Sequence, residues 1–530
     1  MLGDRWLRQA EKAAARFARR QRLVLISLPV TAILLRLAFL PLLPVPVPEI
    51  HDEFGYLLAA DTFLHGRLAN PPHPMSLFFE TYHVLQHPTY AAHYPPAQGV
   101  VLALGQWLGH PWIGVLLSMA IMTAAVGWML QGWLPPEWAL LGAVFAILRL
   151  DVLSYWISSY WGGAIPATGG ALVIGGYRRL IHSPRPRYAI AIGIGASLLA
   201  LSRPVEGFVF CIPVAIALGY WMFSKASPGL PVIGRQVVAP IAAFLLITIC
   251  FLGYDNWRVT GNALLFPESL TQKNYENLPL LAWQKPQPPL HYSNPQFTLF
   301  HKMQYERYGP SFAKWKARTW QRLGSWRYFP GSSLMIPLVA LPWMFRDRRI
   351  RLLEIQFVCS ALGLLAIVYF ELHYVAPLTA TILALIVQAM RHLRRWTLWG
   401  RPIGIGLSRA VVLATVANVV VLLISSATQA QSPEPWNFAR ARIVKQLQAT
   451  PGRHLVIVRY KEDHPPYAEW VFNDADIDDS KIVWAREIPG QNMQPLLDYF
   501  RGREVWLLDA DHPPFRLQSY SLPPGPEGLR

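Results

Sequence analysis

Residues 23–43 read LVLISLPVTAILLRLAFLPLL, and six positions further on the chain turns abruptly to Glu49-Ile50-His51-Asp52-Glu53. An apolar run of that length, with Arg36 as its one charge, matches the roughly 20 residues a helix needs to cross about 30 Å of hydrocarbon. The segment before it, Met1–Arg22, carries seven Lys/Arg against Asp4 and Glu11, and no small-residue cleavage pattern follows. It is expected to be a basic helix on the cytoplasmic surface leading into a retained first span, not a cleaved leader.

Working outward, similar apolar runs recur as far as Ile424. Spans are expected near Trp112–Trp133, Trp138–Leu150, Gly162–Leu180, Tyr188–Ser202, Pro204–Phe223, Val237–Tyr254, Gly331–Phe345, Leu352–Leu372, Tyr374–Met390 and Ala410–Ser426. The whole chain is 53% hydrophobic and only 15% charged, against about 25% charged in soluble domains. The expectation is an all-α polytopic membrane domain of about eleven spans with additional interfacial helices. The formal net charge of +17 sits largely in short clusters between these runs. That pattern suits anionic lipid headgroups and argues against nucleic acid. Cys211, Cys250 and Cys359 all lie inside apolar runs, so they form no disulfide framework.

Basic clusters orient the chain. Arg178/Arg179/Arg185/Arg187, Lys225/Arg235, Arg346/Arg348/Arg349/Arg351 and Arg391/Arg394/Arg395/Arg401 are separated by two hydrophobic lengths each time. All can lie in the cytoplasm with the N-terminus, as the positive-inside rule requires. The outer loops are then 44–111, acidic in its first half, and 255–330, rich in Pro, Trp and Tyr. Ala97–Gly109 is too short to span, and reads as a half-helix or interfacial helix on the outer face. Lys314, Lys316, Arg318 and Arg322 alternate with Trp315, Trp320 and Trp326, the pattern of an interfacial helix or of a lid. Residues 431–530 have soluble composition. Strand-like runs (Leu455–Tyr460, Lys481–Trp484, Val505–Asp509) alternate with helix-like ones (Phe438–Gln448, Met493–Phe500), so a small α/β domain is expected, periplasmic by parity. The division is thus 1–22, 23–430 and 431–530, in an inner membrane.

With this threading the out-of-place polar residues gather on one side. They are Asp52 and Glu53, His93-Tyr94-Pro95-Pro96, Asp151, Tyr155, Tyr160 and Trp161, Arg203 and Glu206, Asp255 and Arg258, and Glu371, His373 and Tyr374. Any one of them could be an interface anchor. Their convergence on the outer face, with mostly Arg on the other, suggests a polar cavity.

The stretch His51-Asp52-Glu53-Phe54-Gly55-Tyr56, with Asp61 and Gly66 downstream, resembles the Asp-Glu-x-x-Tyr…Gly pattern that follows the first span of GT-C fold membrane glycosyltransferases. The similarity is to the bacterial branch with the lipid A aminoarabinose transferase and the related protein O-mannosyltransferases. His93-Tyr94-Pro95-Pro96 resembles that branch's Pro-Pro element. Ser159–Ala164, Ser202–Gly207, Trp257–Asn262 and Glu469–Asn473 look like an uncharacterised bacterial subgroup of it. The resemblance implies a polyprenyl-phosphate sugar donor, a lipid, glycan or protein acceptor on the outer face, and inversion at the anomeric carbon.

Inverting transfer needs a base for the acceptor hydroxyl and a partner for the departing phosphate. Asp52 matches the family's catalytic acid, which implies a general base; the competing reading is a helix N-cap. Glu53 could be a second acid, a metal ligand or a first-turn charge. Arg203 and Arg258 are candidates for the phosphate, because a guanidinium forks onto phosphate oxygens; Arg203 could instead pair with Glu206. Tyr56, His93, Tyr94, Asp151, Tyr160, Trp161, Glu206, His373 and Tyr374 complete the expected substrate-binding set. No cofactor is demanded by a motif. A divalent metal stays open, since some fold relatives use one and His51, His87, His93, His291 and His373 lie on the outer face, without tight ligand spacing.

There is no phosphate-binding Gly loop, nucleophile elbow or cysteine pair. The rival class is a transporter or flippase of a lipid-linked saccharide, which needs ionisable groups at the midplane and paired halves with broken helices. An O-antigen-ligase-type enzyme would lack Asp-Glu after its first span.

Overall fold

The computed structural model describes residues 2–288, 290–292, 294–325, 331–428 and 434–521. Trp326, the join near 430 and the last residues of the tail lie outside the described residues. In chain order the helices are α1 (Leu2–Ala18), α2 (Gln21–Ala38), α3 (His51–Leu64), α4 (Pro96–Trp107), α5 (Pro111–Trp133), α6 (Pro136–Ala146), α7 (Ala164–Leu180), α8 (Pro186–Ser202) and α9 (Pro204–Met222). There follow α10 (Leu230–Thr260), α11 (Pro267–Tyr275), α12 (Pro295–Tyr308), α13 (Phe312–Ser325), α14 (Ser332–Met344), α15 (Arg351–Leu365), α16 (Leu372–Leu393), α17 (Ile403–Thr428), α18 (Trp436–Ala449) and α19 (Gln494–Tyr499).

Among the described residues six helices (α2, α5, α9, α10, α16 and α17) are long and apolar enough to cross a membrane. Helices occupy the other expected apolar segments too, but these are shorter or broken. Many start on proline at the first turn, where the missing N–H costs no hydrogen bond and φ is already helical. α7 is the hub, packed on α5, α8 and the start of α16. Small residues make the approach close: a Cβ on Gly170 would lie 2.0 Å from the Pro377 carbonyl oxygen. Close backbone contact of this kind replaces the hydrophobic effect as the force between helices in lipid.

α4 has 12 residues, or about 18 Å of helix, too short to span. It packs on α3 and α5, with Val100, Leu104 and Trp107 exposed. Arg36, in the last turn of α2, donates to the carbonyls of Leu43 (2.7 Å) and Pro44 (3.3 Å), and its guanidinium lies over Trp112. The intramembrane charge thus caps the end of its own span.

The C-terminal domain is a four-stranded sheet of order β4-β3-β5-β6, made by β3 (His454–Arg459), β4 (Ile482–Arg486), β5 (Glu504–Asp509) and β6 (Leu517–Ser519). The first three are parallel and β6 is antiparallel; the β1–β2 hairpin lies upstream in the first outer loop at Val84–Leu85 and Ala91–Ala92. Alternate residues face opposite sides. Val456, Val458 and Trp484 pack under α18. Leu455, Ile457, Val483 and Ala485 pack with α19 and with Leu58, Phe78, Phe79, Val84 and Tyr90 from the first outer loop. The domain therefore shares a core with the outer loop it covers.

Candidate active site

Helix α3 begins at His51 with Ile50 as its N-cap, so Asp52 sits inside the first turn and not at the capping position. Its carboxylate is held by side chains: Oδ1 accepts the Tyr94 hydroxyl at 2.7 Å, and Oδ2 lies 2.7 Å from His51 Nδ1. The backbone is instead satisfied by Glu53. Its Oε2 accepts the N–H groups of Glu49 (2.7 Å) and Ile50 (3.1 Å), and its Oε1 accepts that of Tyr160 (2.9 Å). Two adjacent acids thus have different surroundings. Glu53 is buried and knits three segments together, whereas Asp52 faces a cavity.

Tyr94 follows the hairpin and precedes Pro95 at the start of α4. Its ring stacks on Tyr56 at 4.2 Å and covers Gly55, where a Cβ would come within 2.8 Å of it. Glycine at 55 therefore lets Tyr94 reach Asp52. The hairpin register (Val84 opposite Ala92) continues to His83 and His93, whose backbones meet at 3.1 Å and whose rings lie 4.7 Å apart. His83 adopts φ 62°, a left-handed conformation uncommon for a non-glycine residue and found where a site holds the backbone in place.

Arg203 stands at the junction of α8 and α9. Its guanidinium lies 4.4 Å over the Tyr374 ring and 3.8 Å from the Glu206 carboxylate, an ion pair too long for a hydrogen bond. Among the described residues no acceptor lies within hydrogen-bonding distance of that guanidinium. His373 Nδ1 is 2.9 Å from the Tyr155 hydroxyl, and its ring lies 4.8 Å from Trp161.

These groups line one cavity of about 300 Å³: Asp52, Tyr56, His93, Tyr94, Trp161, Arg203, Glu206, His373 and Tyr374 are all on its walls. The remaining expected residues lie elsewhere. Asp151 ends a π-turn inside the bundle and accepts the Thr123 hydroxyl. Tyr160 bonds Glu53 through its N–H, Pro46 through its hydroxyl and Gln98 through its carbonyl, and so braces the entry to α3. Arg258 is exposed on α10, with Tyr254 as its partner.

The walls also bring in residues that sequence reasoning passed over: His83, Glu268, Glu276, His301, Arg307, Tyr369 and Tyr467. The hairpin strands have two residues each, too few for an alternation signal to have paired His83 with His93. Burial pushes the Glu268 carboxyl up to about 7, with Glu206 adding to the rise, and burial with Glu268 pushes Glu276 up to about 8. Burial lowers His93 to about 4, which leaves it a neutral imidazole. Burial also opposes the charge of Asp52, but the adjacent His51 and the Tyr94 hydrogen bond outweigh it and hold that carboxyl below the usual range.

Two sets of ligand atoms, His51/Asp52/His83 and His83/His93/Glu276, each lie within 4.8 Å of one another and could hold a divalent metal ion. The donor set fits: imidazole nitrogen with carboxylate oxygen is a zinc-type combination. His51 Nε2, His93 Nδ1 and His301 Nε2 are buried with no hydrogen-bond partner among the described residues, as nitrogens kept for a ligand would be.

The sequence matches no protein-family model and none of the curated proteins. Among solved structures it is similar to ArnT from Cupriavidus metallidurans bound to undecaprenyl phosphate, with TM-score 0.50 and 13% identity over 92% of each chain. The same protein in its apo state gives TM-score 0.49 and 11% identity over 93% of each chain. The oligosaccharyltransferase of Archaeoglobus fulgidus, in complex with Zn and sulfate, gives 0.43 and 11%, covering 92% of this chain and 67% of that one. The likeness to undecaprenyl-phosphate-bound ArnT, at so low an identity, speaks for the fold. The chain is a polytopic membrane protein of the GT-C fold with a small β-containing C-terminal domain.

Proposed function

We propose that this protein is an inverting glycosyltransferase that moves a sugar from a polyprenyl-phosphate donor to an acceptor hydroxyl on the outer face of the inner membrane. The observation that carries this reading is the sharing of one cavity by Asp52 and Arg203. Asp52 takes the proton of the acceptor hydroxyl as that oxygen bonds to the anomeric carbon. The bond from that carbon to the phosphate oxygen breaks on the opposite side, and its electron pair leaves with the lipid phosphate. A carboxylate held below the usual range is a weak base toward a resting alcohol. It is adequate for one whose proton grows acidic as the oxygen attacks an oxocarbenium-like centre. Arg203, with its N–H groups uncommitted and its face fixed on Tyr374, offers a forked cation to the departing phosphate. A divalent ion held by His51, Asp52 and His83, or by His83, His93 and Glu276, would supply further positive charge for that phosphate.

In this reading 1–22 is a cytoplasmic interfacial helix, 23–430 the membrane domain and 431–530 a periplasmic domain, with both outer loops and the cavity on the periplasmic side. A flippase reading has less support. The acids and histidines of the cavity cluster where the outer loops join the helices, while within the bundle Arg36 is spent on capping α2 and Asp151 accepts the Thr123 hydroxyl away from the cavity. The test is sugar transfer by purified protein from a panel of polyprenyl-phosphate sugars, with Asp52→Ala beside it. Transfer from at least one donor, lost in Asp52→Ala, is expected. Undiminished transfer by that variant would remove Asp52 from the chemistry.

A further inference from the structure

The C-terminal domain does more than cover the outer loop: one of its side chains stands in the cavity wall. The segment after β3 turns back at Pro465-Pro466 and carries Tyr467, itself 42% exposed, into the wall. The turn is pinned from behind. His464 Nδ1 lies 2.7 Å from Asp511 Oδ1, its Nε2 lies 2.9 Å from the Ala468 carbonyl oxygen, and the Lys461 N–H donates to Asp511 at 2.8 Å. So held, the Tyr467 ring sits 5.6 Å from the His51 ring, and its hydroxyl accepts from Gln304 at 3.3 Å.

A second route runs from the same domain to the same imidazole. Glu469 is buried, paired with Arg486 and bonded by the Tyr460 hydroxyl. Arg486 donates on to Gln296 Oε1 at 3.2 Å, at the start of α12. The Gln296 backbone carbonyl accepts the Tyr82 hydroxyl at 3.0 Å, and the Tyr82 ring lies 5.4 Å from His51. Phe300 at 5.6 Å and His83, edge-on at 4.6 Å, complete the box. The His51 imidazole, which holds Asp52 Oδ2, is therefore fixed on one side by Tyr467 directly and on another through the Glu469–Arg486–Gln296–Tyr82 chain. An aromatic ring boxed by tilted and edge-on neighbours keeps one orientation, and second-layer contacts of this kind set the direction in which a reacting group points.

We infer that Tyr467 is a positioning residue: packed on His51, it fixes the imidazole that orients Asp52, so the C-terminal domain is a working part of the site. The consequence for rate rests on the transferase reading above, but the placement of His51 does not. The experiment uses the full chain in lipid nanodiscs. The His51 ring resonance, assigned by its loss in His51→Gln, is followed by ¹³C–¹H NMR in wild type, Tyr467→Phe, Tyr467→Leu and Tyr467→Ala. It is expected to be single in wild type and Tyr467→Phe, and broadened or split in the Leu and Ala variants; a sharp line that only shifts reports the lost ring current alone. Transfer assays on the same samples are expected to show kcat lowered about fivefold to tenfold in Tyr467→Ala, donor KM within about twofold, and the rate rescued by Tyr467→Phe. A His51 resonance that stays single and sharp in both the Leu and Ala variants overturns the inference whatever the activity. A broadened or split resonance with unaltered kcat overturns the positioning role. Absence of transfer by wild type counts against the transferase reading alone, and the resonance still decides the placement.

Discussion

Tyr94 donates its hydroxyl to Asp52 at 2.7 Å across 42 positions of sequence, and it does so over a glycine, Gly55, whose missing side chain leaves room for the ring. The contact joins the start of α3 to the end of the hairpin, and aims a carboxylate into the cavity instead of at its own helix end. Removing the hydroxyl with Tyr94→Phe deletes one charge-assisted hydrogen bond, a loss of about 1.5–3 kcal/mol. If Asp52 is the base, transfer should fall on the order of 10-fold or more, with the fold retained, and Asp52→Asn should abolish it. Steady-state kinetics of both purified variants, with circular dichroism as the control on folding, checks this.

Arg203 is expected to act as a fork and not as a point charge. Arg203→Lys keeps the charge but loses the planar stack on Tyr374 and the paired donors. Donor-phosphate affinity should fall in both Arg203→Lys and Arg203→Ala, on the order of 10-fold or more for the latter. Polyprenyl-phosphate binding measured by scintillation proximity would show it. Unchanged affinity in both would leave the Glu206 pair as the residue's whole role.

The pH dependence of donor binding should carry the signature of Glu268. Burial and Glu206 raise its carboxyl to about 7 in the free protein, so the neutral form prevails below that pH and the anion above it. A carboxylate formed in the cavity repels an anionic phosphate. Affinity should therefore weaken as pH rises through about 7 and be flatter in Glu268→Gln. A titration from pH 6 to 8.5 reads this directly, and an unchanged slope in the variant would exclude Glu268 as its source.

Metal binding should follow His83, which both candidate ligand sets share. Isothermal titration with Zn²⁺ or Mn²⁺ is expected to show one high-affinity site in wild type, lost in His83→Ala and kept in His291→Ala. Equal binding by wild type and His83→Ala would place any metal elsewhere.

Glu53 is expected to matter for stability before chemistry. Glu53→Ala leaves the N–H groups of Glu49, Ile50 and Tyr160 without their acceptor. The buried Tyr160 N–H left as an orphan costs about 1–3 kcal/mol, and the more accessible Glu49 and Ile50 N–H groups add less, so the loss should reach roughly 2 kcal/mol or more. A lower midpoint in detergent thermal unfolding should accompany any fall in activity.

Much of this architecture could be read from the chain alone, for a physical reason. Hydrocarbon admits only apolar helices, so spans such as Leu23–Leu43 and Trp112–Trp133 announce themselves by length and composition, and the tail announces its strands as short apolar runs that alternate with helix-like segments in a soluble composition. The Asp52, Tyr94 and Arg203 segments stood out because charge and aromatic hydroxyls at helix ends are conspicuous against that background. What the linear order left undecided was which way each side chain points. Asp52 and Glu53 are neighbours with identical chemistry, and only the approach of Tyr94 and of the Tyr160 backbone sends one to the cavity and the other into the protein. Arg203 and Arg258 look alike in sequence; the packing of α8, α9 and α16 puts one over Tyr374 and leaves the other on the surface of α10. His83, Glu276 and Tyr467 come from the turn before a two-residue strand, a helix end and a separate domain. Their convergence is a property of tertiary packing, which short-range periodicity does not encode.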